Sequence, residues 1–146
     1  MSFNKVMFSS ASDHWATPKE VYHALDKEFR FNDDPCPLGG AGGLNREWGT
    51  RTFVNPPYSE IKYWVAYGFN QASKGKTVVM LIPSRTDTRW WHGYVMEATE
   101  IRFIKGRLKF GGSKTSAPFP SAIIIFRPKT KNAMAKYPFK AVMEDK

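Results

Sequence analysis

The sequence of 146 residues contains one cysteine, Cys36, and three histidines. A single cysteine excludes both a disulfide within the chain and a thiolate metal cluster. His14, His23 and His92 show no spacing typical of metal ligands, and we interpret them as structural or solvated. We therefore expect no metal site.

Long apolar runs are also missing. The longest, residues 122–126, is far shorter than the ~20 residues that a membrane helix needs, and the first ten residues carry no signal-peptide segment. There is no internal repeat or low-complexity tract. We expect a cytoplasmic protein without membrane contact, with one domain over residues 1–128 and a basic C-terminal extension over residues 129–146.

Acidic residues are few relative to basic ones. The formal net charge is +9 and the isoelectric point is near 9.7. Such a field attracts polyanions, and nucleic acid is the first candidate. An excess of lysine can also serve only solubility, so the charge supports a nucleic-acid partner without establishing one.

Apolar and β-rich segments predict an α/β fold. Residues 53–54, 77–82, 101–104 and 121–126 are expected to be strands, and Ile61 to Ala72 has helical periodicity. Thr17-Pro18-Lys19-Glu20 has the pattern of a capping box before a short helix that ends near Lys27. The strand–helix–strand order implies a parallel pair, and the last two strands are expected to be antiparallel to each other. We predict a mostly parallel sheet with an antiparallel edge strand.

Asn55-Pro56-Pro57-Tyr58 follows the first of these strands, where ligands bind in such sheets. The nitrogen of a planar amine is a poor nucleophile because its lone pair is delocalised. If the Asn55 side-chain oxygen and the Pro56 carbonyl accept its hydrogens, the lone pair is aimed at an electrophile. The prolines fix the backbone, and Tyr58 offers a face for stacking. The alternative is that this segment is only a Pro-Pro turn after a strand, without a role in catalysis.

Six segments in this order carry a resemblance to a known family. They are residues 13–18, Asp34-Pro35-Cys36, residues 55–59, residues 81–88, residues 106–110 and residues 117–121. Together they resemble the phage-type DNA N6-adenine methyltransferases, a Dam-like group of amino-methyltransferases. The resemblance implies a Rossmann-like methyltransferase fold, S-adenosylmethionine as methyl donor, DNA with a flipped adenine as acceptor, and the cytoplasm of a bacterial host. The resemblance also implies that the catalytic residues are Asn55, Pro56, Pro57 and Tyr58.

Two segments are implied as donor contacts. One comprises Trp15, Thr17 and Pro18, and the other is the loop Asp33-Asp34-Pro35-Cys36. Only residues 37–51 separate this loop from the next strand, so the usual second and third donor-binding strands do not fit, and we expect a shortened fold. The donor's adenine must then be enclosed by Trp48 or by the partner subunit of a homodimer.

A DNA-binding surface is expected from basic and aromatic residues in the loops after the later strands. The candidates are Arg85, Arg89, Lys105, Arg107, Lys109, Lys114 and Phe119. Phe119 is a candidate second stacking partner for the flipped base, and burial in the core is an equal alternative.

Alternatives remain open for the acceptor. Many enzymes of this family carry aspartate where this chain has Asn55, and relatives with asparagine modify adenine or protein glutamine. Methylation of cytosine N4 or of a protein glutamine is thus a second hypothesis. A third is a non-catalytic DNA-binding protein on a decayed methyltransferase scaffold.

Overall fold

The computed structural model describes residues 15–37, 42–111 and 115–128. His14, Lys114 and the extension 129–146 lie outside these ranges. The strands are β1 (Arg51–Val54), β2 (Thr77–Pro83), β3 (Glu100–Phe103) and β4 (Ser121–Phe126), and the helices are α1 (Lys19–Phe29), α2 (Ile61–Ser73) and α3 (Arg89–Gly93). Single 3₁₀ turns lie at Gly43–Asn45, Tyr58–Glu60 and Val95–Glu97. The predicted α/β class and the four predicted strands are confirmed.

The sheet has the order β1-β2-β4-β3. β1 pairs with β2 in parallel, and β4 is antiparallel to both β2 and β3. On the outer side of β1, Asp33 forms an isolated parallel bridge with Thr52. The Asp33 segment, β1, β2 and β3 therefore point the same way, and β4 opposes them.

The expected sheet was wrong in two respects. It is mixed rather than mostly parallel, and its antiparallel strand lies inside the sheet rather than at the edge. Every residue of β4 is buried, because its run of alanine, isoleucine and phenylalanine has no polar alternation and needs cover on both faces. β3, which alternates polar and apolar residues, is the strand that tolerates the edge.

The N-terminal cap of the first helix differs from the one that the sequence predicts. α1 begins after Pro18, which lies at the N-cap position without a side-chain cap, and ends at Phe29, where Arg30 adopts a left-handed conformation with φ of 54°. The Thr17 hydroxyl does not cap the helix; it accepts a hydrogen bond from Asn55 instead. The capping-box prediction is therefore wrong, because a tertiary partner occupies the hydroxyl.

Apolar side chains cover both faces of the sheet. α2 and α3 pack on one face, through residues such as Trp64, Val65 and Trp91. On the other face lie α1 and the described part of the β3–β4 connection, residues 104–111 and 115–120. This connection is held by backbone hydrogen bonds, from Gly111 to the Ala16 carbonyl at 2.9 Å among others. None of the helices in the described ranges is long and apolar enough to cross a membrane.

Candidate functional site

A cavity of about 280 Å³ lies at the carboxyl ends of the Asp33 segment and β1. Its wall joins both predicted donor segments to the first residue of the predicted reaction centre. The lining residues are Trp15, Ala16, Thr17, Lys19, Tyr22, His23, Asp34, Cys36, Pro37 and Asn55. Of the residues predicted to contact the donor, Trp15, Thr17, Asp34 and Cys36 line the cavity, whereas Pro18, Asp33 and Pro35 do not.

Helix α1 contributes three lining residues that the sequence analysis did not assign. Lys19, Tyr22 and His23 stand at positions i, i+3 and i+4 and therefore share one helix face. That spacing, directly after Thr17-Pro18, was the available signal. Burial, followed by the nearby Asp26 and Asp34 charges, raises the pKa of Tyr22, which keeps the phenol protonated and able to donate.

Asn55 is buried and joins the segment after β1 to the segment before α1. Its side-chain nitrogen donates to the Trp15 carbonyl at 2.6 Å and to the Thr17 hydroxyl at 3.0 Å, and the residue is only 3% exposed. These bonds use both amide hydrogens and fix the orientation of the Asn55 side chain. An aspartate here would set an acceptor oxygen against the Trp15 carbonyl, which gives a local reason for asparagine.

Tyr58 lies in an aromatic cluster with Phe110, whose ring contacts Trp15 of the cavity wall. The Tyr58 ring meets Phe119 edge-on, with centroids 4.8 Å apart and planes at 89°, and it contacts Phe110 in the same manner at 6.4 Å. Phe119 is buried in the core on the α1 face. Of the two alternatives for Phe119, the structure shows the packed one. Pro56 is buried and Pro57 is half-buried.

The neighbouring acids Asp33 and Asp34 have different surroundings. The Asp33 carboxylate accepts two hydrogen bonds from Arg46, at 2.7 and 2.9 Å, and one from the Gly49 backbone at 2.8 Å. The Arg46 hydrogen bonds are the main reason that the pKa of Asp33 is lowered. Asp34 is exposed and lines the cavity. The structure thus gives Asp33 a loop-fixing contact and places Asp34 in the cavity wall.

Cys36 and Trp48 are buried. Desolvation, with the Asp34 and Glu60 charges, raises the pKa of the Cys36 thiol to about 12, so the thiol is protonated and unsuited to act as a nucleophile or base. Trp48 donates from its indole nitrogen to the Gly43 carbonyl at 2.7 Å and stacks on Trp64. Because it lies in the core on the α2 face, Trp48 does not enclose a ligand in this cavity.

Replacing Asp33 by asparagine is expected to lower the free energy of unfolding at pH 7 by about 1 kcal/mol, since Arg46 is half exposed and loses a charged partner. The pKa of Asp33 is lower in the folded state, so its stabilisation is present above its ordinary pKa near 4 and is lost as pH falls through the folded value. Urea unfolding at pH 7 and pH 3 measures this difference. An equal difference at both pH values would contradict the assigned ion pair.

The basic residues of the sheet's carboxyl edge are exposed. Arg85 and Arg89 follow β2, Lys105 and Arg107 follow β3, and Lys109 lies farther along the β3–β4 connection. None of the five forms an ion pair with an acid in the described ranges. Elsewhere, Glu47 binds Lys74 and Lys76, and Glu28 binds Arg102. The carboxyl edge of the sheet therefore carries exposed positive charge that no acid in the described ranges neutralises.

Comparison with known proteins identifies a family and two relatives that are named for the same function. The profile of the family described as DNA N-6-adenine-methyltransferase (Dam) matches residues 40–145. A protein named DNA N-6-adenine-methyltransferase from Haemophilus phage HP1 is 28% identical over 158 aligned positions, covering 94% of this chain and 91% of that protein. One of the same name from Escherichia phage T1 is 27% identical over 110 positions, covering 66% of this chain and 46% of that protein. The resemblance to phage adenine methyltransferases is thus confirmed, and the chain belongs to the DNA N-6-adenine-methyltransferase (Dam) family.

Proposed function

We propose that this protein transfers the methyl group of S-adenosylmethionine to the N6 amino group of adenine in DNA. The observation that carries the proposal is the position of Asn55. It is the first residue of the predicted acceptor motif and also part of the cavity wall, tied to Trp15 and Thr17 by two hydrogen bonds. The proposed donor site and the proposed acceptor motif therefore meet at the Asn55 side chain.

The residues of the cavity suit the amino-acid part of the donor. The Asp34 carboxylate fits the donor's ammonium group. The donor's carboxylate fits the first turn of α1, where Thr17 and Lys19 line the cavity. S-adenosylmethionine, when bound, supplies an electrophilic methyl group. The volume of about 280 Å³ lies just below the ~300–1,000 Å³ typical of small-molecule sites. We infer that the remaining part of the donor extends beyond this cavity.

On the acceptor side, the Asn55 oxygen and the Pro56 carbonyl orient the amine by accepting its two hydrogens. Tyr58 contributes a ring face against which the flipped base stacks. Flipping is required because the amino group is out of reach inside a stacked duplex. The methylated nitrogen is acidic and releases its proton to water, so the site needs no protein base.

The sheet order is consistent with a shortened Rossmann-like methyltransferase fold. The acidic loop at Asp34, the Asn55 motif and Ser84-Arg85 follow three neighbouring strands that point the same way. Between Pro37 and Arg51, the described residues contain the 3₁₀ turn Gly43–Asn45 and no strand. A ligand would then lie across the ends of the Asp33 segment and β1.

The cations of the carboxyl edge are proposed to bind DNA phosphates. Replacing Arg85 or Lys105 by alanine should weaken duplex binding equally for all sequences and reduce the slope of log K against log salt by about 1, because one phosphate contact is lost. Fluorescence anisotropy over a salt series measures both quantities.

Lys27 provides the matched control for this prediction. It is exposed and carries the same charge, but it stands in the last turn of α1, away from the cavity. Lys27→Ala should change DNA affinity little and leave the slope as in the wild type. An equal effect of all three substitutions would show that only net charge matters, and the proposed DNA-binding edge would be rejected.

Incubation with methyl-labelled S-adenosylmethionine tests whether DNA is the acceptor. Wild-type protein should place label in unmethylated bacterial DNA, and nuclease but not protease should release it. Label in protein would favour the glutamine hypothesis. DNA binding and donor binding without transfer would favour the decayed scaffold.

A further inference from the structure

Two aromatic residues of the cavity wall, Trp15 and Tyr22, lie beside Asn55. The Trp15 carbonyl accepts the hydrogen bond from the Asn55 side chain at 2.6 Å. The Tyr22 ring meets Phe53 of β1 edge-on, with centroids 5.1 Å apart and planes at 86°. Phe53 packs on the α1 face of the sheet, and Asn55, two residues later, bonds to the segment before α1 on that same face. Both aromatic residues are therefore next to the first residue of the acceptor motif.

The two aromatic side chains are held in place by the core. Trp15 and Tyr22 are half-buried and pack against the apolar cluster on the α1 face. The Trp15 ring contacts Phe110 at 5.9 Å between centroids, and the Tyr22 ring contacts Phe31 at 5.7 Å. These contacts restrict the rotamers of both residues, so little side-chain entropy is lost when a ligand enters the cavity. This part of the wall is a preorganised aromatic surface.

The charged side chains of the wall leave one charge of the proposed donor without a partner. With histidine counted as neutral, Lys19 and Asp34 are the lining residues in the described ranges that carry a formal charge. Under the proposed function, they pair with the donor's carboxylate and ammonium, so the positive sulfonium meets no acid here. The methyl group that it carries must lie about 3–3.5 Å from the substrate nitrogen at Asn55. The sulfonium therefore belongs at the aromatic part of the wall.

We propose that Trp15 and Tyr22 bind the donor's sulfonium by cation–π interaction and thereby distinguish the donor from the demethylated product. This inference rests on the proposed function. A cation over an aromatic ring is attracted by the ring quadrupole, which corresponds to ~2- to 30-fold in affinity. When the methyl group leaves, the electron pair of its bond stays on sulfur, and the product is a neutral thioether, S-adenosylhomocysteine. The product loses this attraction and keeps the other groups of the donor, so the rings favour its release.

Calorimetric titration of the full-length protein with S-adenosylmethionine and with S-adenosylhomocysteine gives the ratio of the two affinities. Trp15→Leu and Tyr22→Leu should each shift this ratio ~2- to 30-fold against the donor, because leucine fills space without a π face. Trp15→Phe and Tyr22→Phe retain a ring and should keep most of the wild-type ratio. A general loss of packing weakens both ligands alike and cancels in the ratio.

Lys19→Ala is the matched control, because the carboxylate that Lys19 is proposed to bind is present in both ligands. This variant should weaken the two ligands by the same factor. A wild-type ratio in both leucine variants, or equal ratios in the leucine and phenylalanine variants, would overturn the inference while donor binding by the wild type leaves the proposed function standing. A wild-type protein that binds neither ligand would reject both.

Discussion

Replacing Asn55 by alanine is expected to lower the rate of methyl transfer by at least ~100-fold, the scale of effect seen when a positioning group is lost. The substitution removes the oxygen proposed to orient the substrate amine. It also removes the hydrogen bonds to Trp15 and Thr17, so the cavity wall loses its attachment to the acceptor motif. Donor affinity should therefore fall as well, by a smaller factor. Single-turnover kinetics and donor titration measure the two effects separately.

Two further variants separate the functions of Asn55. Thr17→Val removes one acceptor of the amide nitrogen while leaving the acceptor motif intact, and it should weaken donor binding more than it slows the methyl-transfer step. Asn55→Asp keeps an oxygen for the substrate but places a second oxygen opposite the Trp15 carbonyl. We expect this variant to be as inactive as Asn55→Ala. Full activity in Asn55→Asp would show that the link to Trp15 has no part in transfer.

Replacing Asp34 by alanine should weaken binding of S-adenosylmethionine by about 10- to 100-fold, the loss expected for a hydrogen bond to a charged group. The reason is that Asp34 is exposed in the cavity wall, where it can meet the donor's ammonium. Calorimetric titration measures the affinity. The fold should be unaffected, as checked by thermal unfolding.

The adjacent residue gives a matched control. Asp33 has the same side chain one position earlier, but Arg46 and Gly49 hold its carboxylate outside the cavity lining. Asp33→Asn should therefore lower stability and leave donor affinity as in the wild type. The opposite pattern, with donor binding lost in Asp33→Asn and intact in Asp34→Ala, would exchange the two roles.

Segments whose local pattern agrees with their surroundings were predictable from the sequence. The strands and α2 follow from apolar runs and from helical periodicity, and the Asn55 motif was identified from its chemistry after a strand. The position of β4 was missed because strand order depends on which faces helices cover, and local periodicity does not report that. The Thr17 hydroxyl was assigned to the helix, since its bond with Asn55 spans 38 positions in the chain.

The two acids show the same limit in the candidate site. Asp33 and Asp34 are indistinguishable in sequence, and only the fold brings Arg46 to one of them. Likewise, Trp48 is near the predicted donor-binding loop in the chain but packs on the α2 face. Contacts between distant segments decided each of these outcomes.

The central claim is that this chain methylates adenine N6. It is tested most directly by labelling unmethylated DNA from S-adenosylmethionine, digesting the DNA to nucleosides and identifying the labelled one by mass spectrometry, with Asn55→Ala as the inactive control. We predict label in N6-methyladenine with the wild-type protein and none with the variant. Label in N4-methylcytosine, or label in N6-methyladenine that persists in Asn55→Ala, would contradict the account.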